Sequence, residues 1–80
     1  MGHFYFHLQA GEQLIIDMEG QDLPDLSAAR REAIQSAREI LAAAIRAGKA
    51  TVPDAFVISD EAGHALDIVA LVEALPEPLK

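Results

Sequence analysis

Residues 4–16 recur, without a gap, as residues 56–68, and this repeat constrains the chain more than any other feature of it. Phe4, Ala10, Gly11, Leu14 and Ile16 return as Phe56, Ala62, Gly63, Leu66 and Ile68. Each copy reads as an alternating apolar run, a Gly-containing turn and a second alternating run, which is the pattern of a β-hairpin. The stretch between the copies is Ala-rich and amphipathic at helical spacing. The expected class is α+β: a ββαββ chain in which two antiparallel hairpins pack on one long amphipathic helix.

Along the chain, His3–Leu8 alternates as a first strand, and Gln9–Glu12 forms its turn around Gly11. Gln13–Met18 is expected as one continuous second strand, ended by Glu19-Gly20. Pro24 blocks further ladder pairing, and Asp25 is placed to N-cap a helix over residues 26–47 that Gly48 ends. Leu26, Ala29, Ala33, Ile34, Ala37, Ile40, Leu41, Ala44 and Ile45 are expected on one side of that helix, and Arg31, Glu32, Gln35, Arg38, Glu39 and Arg46 on the other. A third strand is expected over residues 55–59, a type I turn over Asp60–Gly63 and a fourth strand over residues 65–69. A short helical turn is expected over residues 69–75.

Eighty residues make a single domain, read here as 1–75 with a Pro-containing tail over 76–80. A chain this short buries a modest fraction of its surface, so a second copy or another protein would add to its core. It has no cysteine, which removes disulfides and thiolate metal sites as supplements. No segment resembles a signal peptide, and no apolar run is long enough to span a bilayer, so a cytoplasmic protein is expected, with no membrane partner. The net charge is −7 with a pI near 4.6, and Arg30, Arg31, Arg38 and Arg46 are confined to the helix. Nucleic-acid binding draws its affinity from neutralised phosphates, so this balance argues against it and favours a basic partner protein instead.

Few residues are free for chemistry. His3 and His7 sit about 13 Å apart on an extended strand, too far to share a metal ion. The acidic pairs Asp17 with Glu19 and Asp60 with Glu61 stand at turns, where such residues serve local structure. Neither a nucleophile–base pattern nor a phosphate loop is present. The expectation is a non-enzymatic protein with no metal site and no cofactor. Arg30 falls inside the apolar arc of the helix and is expected to lay its stem on the core and pair with Asp22 or Asp25. The second sheet face exceeds structural need. If Phe4, Phe6, Leu14, Ile16, Phe56, Ile58, Leu66 and Ile68 face the helix, alternation turns Tyr5, Ile15, Val57 and Val69 away from it. Four apolar residues on one solvent face read as a protein-interaction surface, homodimeric or with another protein.

Several short motifs occur in an order that resembles a known family: Phe6-His7-Leu8, Gly11-Glu12, Glu19-Gly20, Leu23-Pro24-Asp25-Leu26, Ala29-Arg30, Glu32-Ala33 and Asp60-Glu61-Ala62-Gly63. The chain is similar over nearly its whole length to a bacterial family of short proteins, domain-of-unknown-function family 6894. That resemblance implies no activity. A looser similarity is to the N-terminal domain of HicB-type antitoxins, in which strands and a Pro-Asp-Leu segment precede an Ala-rich helix. It implies an acidic antitoxin-like or inhibitor protein that binds a basic partner. The expected presence of only two strands before the helix, with no DNA-binding segment after it, sets this chain apart from those domains.

Overall fold

Alternating aromatic and polar residues make Gly2–Ala10 the longest strand, β1, and the rest of the sheet is arranged around it. The computed structural model describes residues 2–76, so the expected tail lies, beyond Pro76, outside the described residues. After β1 come β2 (Gln13–Ile15), β3 (Gln21–Leu23), helix α1 (Leu26–Ala47), β4 (Ala55–Ser59), β5 (Ala65–Ala70) and a 3₁₀ turn over Leu71–Ala74. The class is α+β, one helix on an antiparallel sheet ordered β2-β1-β4-β5, with β3 also paired to β1. The central pair is β1 with β4, and Phe6 lies opposite Ile58. Those two residues are equivalent in the repeat, so the two copies meet across a pseudo-two-fold axis at the centre of the sheet.

The sheet has five strands where the sequence predicts four. Gln13–Met18 does not run through: the strand stops at Ile15, residues 16–20 loop out, and pairing with β1 resumes at Gln21. Asp17 is the cause. Its Oδ2 accepts the Phe6 N–H at 3.0 Å, and its Oδ1 accepts the N–H groups of Glu19 and Gly20 at 3.2 and 3.3 Å. The side chain thus takes a donor that a strand neighbour would otherwise take, and the extra residues bulge away. Gly20 closes the bulge at φ +68°, where a Cβ would stand 2.7 Å from the Phe4 carbonyl oxygen.

Helix α1 forms where predicted. The Asp25 carboxylate accepts the Ala28 N–H at 2.8 Å, and Gly48 ends the helix in the left-handed region with Lys49 N–H bonded back to Ala44 O. Ala29, Ala33 and Ala37 are wholly buried, and their small side chains bring the helix close to the sheet. Phe4, Phe56, Ile58, Val69, Leu71 and Ala74 complete the core, whereas Ile45, expected on the same helix stripe, is 75 % exposed.

Phe4, Phe6, Phe56 and Ile58 lie under the helix as expected, whereas Leu14, Ile16, Leu66 and Ile68 do not. In the first hairpin only Gly11 and Glu12 lie outside the ladder, and Ala10 pairs with Gln13. Leu8 therefore meets Ile15 and Gln9 meets Leu14, so even-numbered residues of β1 share a face with odd-numbered residues of β2. In the second hairpin Ser59 pairs with Ala65 but Ile58 pairs with Asp67, so Leu66 is an inserted bulge residue. One inserted residue exchanges the faces of the rest of the strand. Val69 turns in to the core and Ile68 turns out, 60 % exposed.

Candidate functional site

The sheet face away from α1 carries His3, Tyr5, His7 and Gln9 from β1, Asp22 from β3, Leu14 from β2, Val57 and Ser59 from β4, and Ile68 from β5. Of the four residues the sequence assigns to this face, Tyr5 and Val57 are there, both half-buried. Ile15 lies opposite Leu8, on the helix side of the edge strand, and is 54 % exposed because the helix does not reach it. Val69 is fully buried in the core. Leu14, Ile16, Leu66 and Ile68, which the sequence reading turns toward the helix, are exposed instead. The two-residue loop of the first hairpin was the available signal, because a loop of that length pairs odd with even positions. No local pattern announced the bulge at Leu66.

The rings of His3, Tyr5 and His7 form a column, with centroids 5.0 Å apart for the first pair and 6.2 Å for the second. His3 Nδ1 meets Asp22 Oδ1 at 2.6 Å, and its Nε2 meets Glu19 O at 2.8 Å. Both partners are acceptors, so both ring nitrogens must carry protons and the ring is an imidazolium. The Asp22 hydrogen bond, then the Glu19 carbonyl, raises the His3 pKa above its ordinary value. His7 stands differently: its Nδ1 accepts the Asp17 N–H at 3.0 Å, which needs the neutral ring with its proton on Nε2. Burial pushes the Asp17 carboxyl up, but the Phe6, Gly20 and Glu19 N–H donors outweigh it and hold it below the usual carboxylate range. Both histidines thus serve the bulge, each with its own partners.

Beside this column a shallow depression of about 260 Å³ opens between Tyr5, His7, Ile16, Met18, Asp60 and Glu61. Its lining joins the apolar Ile16 and Met18 to the carboxylates of Asp17, Asp60 and Glu61. Asp60 is occupied by its own turn, accepting the Ala62 and His64 N–H groups at 3.0 and 2.9 Å. A second cleft, of about 360 Å³, runs between α1 and the 3₁₀ turn, walled by Leu41, Ile45, Ala74 and Leu75. Arg38 Nε donates to Ala74 O at 3.4 Å across it.

Arg30 corrects another expectation. It pairs with Asp67 Oδ2 at 2.6 Å and with Glu73 Oε1 at 3.2 Å, and not with Asp22 or Asp25. The bulge at Leu66 turns Asp67 toward the helix, within reach of the guanidinium. That hydrogen bond holds the Asp67 carboxyl below its usual range. The described Lys and Arg residues all fall between Arg30 and Lys49, while ten of the twelve described carboxylates lie outside α1. Cationic groups therefore collect on the helix, and the hairpins and loops carry the acidic excess. Among the described residues no helix is long and apolar enough to cross a membrane.

A family model described as a domain of unknown function, DUF6894, matches residues 3–72. Neither curated proteins nor solved structures gave a match.

Proposed function

The chain belongs to the DUF6894 family, and from that premise we propose that it is a non-enzymatic protein-interaction module that self-associates through the outer sheet face. The observation that carries this reading is the row of apolar side chains opposite the helix. Leu14, Val57 and Ile68 accompany Tyr5 there, and Leu14 and Ile68 are each more than 40 % exposed. A solvated sheet face is ordinarily mostly polar. The molecule measures 36 × 26 × 16 Å, so one broad face is comparable to the ~800 Å² that each partner of a stable interface buries. Histidines and carboxylates share that face, so two copies related by a two-fold axis offer each other both kinds of group.

Sedimentation equilibrium tests the reading. The wild-type chain is expected to assemble at micromolar concentration, and Val57→Lys with Ile68→Lys is expected to lower the assembled mass while leaving the circular dichroism spectrum unchanged. A wild-type chain that stays monomeric at high micromolar concentration refutes it.

A second reading is an acidic antitoxin-like or inhibitor protein that covers a basic partner. The acidic excess outside α1 favours it, and so does the third strand. Three strands precede the helix, which removes one of the differences from HicB-type N-terminal domains. Co-purification of a stoichiometric basic protein from the native cytoplasm separates this reading from the first.

A further inference from the structure

The two edges of the sheet are finished differently. On β5 the N–H groups of Ile68 and Ala70 are taken up by side chains: Asp67 Oδ1 accepts the first at 2.8 Å and Glu73 Oε2 the second at 2.9 Å. The remaining oxygens of the same two carboxylates hold Arg30. One arginine on the helix thus fixes two acidic caps over the edge donors, which is a way to prevent another strand from adding there. On β2 no such cap is found among the described residues: no side-chain hydrogen bond reaches the backbone of Gln13, Leu14, Ile15 or Ile16. The Phe6 N–H points to the β2 side of β1. Alternation then directs Leu8 and Ala10 the same way, toward Ile15 and Gln13, and leaves the Leu14 N–H and C=O facing the open edge.

The composition of β2 is also that of an interior strand. Leu14 lies on one face and Ile15 on the other, and Ile16 and Met18 follow. These four are 42, 54, 52 and 83 % exposed. A strand apolar on both faces is ordinarily covered on both faces and paired on both edges.

We propose that a second copy of this chain adds its own β2 antiparallel to the β2 edge, with Leu14 opposite Leu14, and that the Arg30–Asp67–Glu73 cluster prevents further addition at the β5 edge. In this register Gln13 faces Ile15 and Glu12 faces Ile16, so no carboxylate stands against another, although each copy carries a net charge of −7. The finished opposite edge argues for a second copy in particular. A sheet with two open edges would add copies without limit, whereas one open and one capped edge closes as a pair. The contact is separate from the face-to-face one, because joining edges sets two sheets side by side and leaves both outer faces free.

Hydrogen exchange on the intact protein reads this contact directly at the Leu14 amide. Exchange there is expected to slow by about tenfold or more from low to high micromolar concentration, as the amide passes from solvent into a ladder; a rate independent of concentration overturns the proposal. Leu14→Pro removes only an outward donor. Introduced into the Val57→Lys, Ile68→Lys chain, it is expected to halve the residual assembled mass, and an unchanged mass overturns the edge contact. Should the proline variant fail to fold, the wild-type amide series still decides. Asp67→Ala with Glu73→Ala is expected to assemble beyond the parent, and a mass equal to the parent's overturns the capping role.

Discussion

Gly20→Ala isolates the strain stored in the bulge. Gly20 holds φ +68°, and a Cβ there would sit 2.6 Å from His3 Nε2 and 2.7 Å from Phe4 O. The imidazole can swing aside, at the expense of its bond to Glu19 O. The carbonyl cannot, because Phe4 is locked between β3 and the buried core. The left-handed conformation costs an alanine about 1–2 kcal/mol. Forcing a methyl group against fixed backbone adds about 1–3 kcal/mol. Gly11 supplies the control: its φ is +60°, and a Cβ there meets nothing within 4 Å. Gly11→Ala is therefore expected to lose only the first contribution, and Gly20→Ala both. For a domain of this size, each 1 kcal/mol shifts Tm by about 4–8 °C. Thermal unfolding followed by circular dichroism should place Gly20→Ala below Gly11→Ala by at least about 4 °C. Two variants that melt together would show that the bulge has room to relax and that its tight closure by Gly20 is misread.

Phe4→Ala and Phe56→Ala each empty a site in the core and are expected to cost about 3–5 kcal/mol in urea unfolding. Val69→Lys is expected to unfold the domain and Ile68→Lys to leave it folded; the reverse result, read by circular dichroism, would refute the bulge at Leu66. Stability should also depend on pH in two opposed ways, followed by urea midpoints across a pH series. His3 has a raised folded pKa, so its contribution is complete below its ordinary value of 6.5 and is lost as pH climbs through the folded value; His3→Ala should flatten that region. Asp17 and Asp67 have lowered folded pKa values, so their contributions are complete above 3.8 and are lost as pH falls through the folded values.

The helix was legible to the residue, because Asp25, the Ala stripe and Gly48 are local signals that tertiary packing reinforced. The first strand of each hairpin was legible for the same reason: Phe4 and Phe56 each open a clean alternation. The second strands were not. The repeat invites the same pairing in both hairpins, yet Ala10 closes a ladder while its counterpart Ala62 sits inside a turn. Which face a returning strand presents depends on the number of residues in the turn and on any bulge, and one residue reverses the answer. Leu14, Ile16, Leu66 and Ile68 were misplaced on that account, as were Ile15 and Val69. The Asp17 hub was hidden for another reason. Ile16 to Gly20 continues an acceptable strand pattern, and only the spacing of Asp17 from Gly20 hints at a side-chain-capped turn.

The pairing of Phe6 with Ile58 at the sheet's centre has a kinetic consequence. Each hairpin and the helix form from neighbouring residues, but the strands that join them come from opposite ends of the chain, with α1 between. That long closure is the slow event, since its entropy must be lost before any contact rewards it. Until it occurs, β1 and β4 each present an unpaired inner edge, and the hairpin of a neighbouring molecule offers the same complement as the chain's own. Refolding from concentrated solution should therefore yield dimers with exchanged hairpins, connected through the residue 49–54 segment, and dilution before refolding should suppress them.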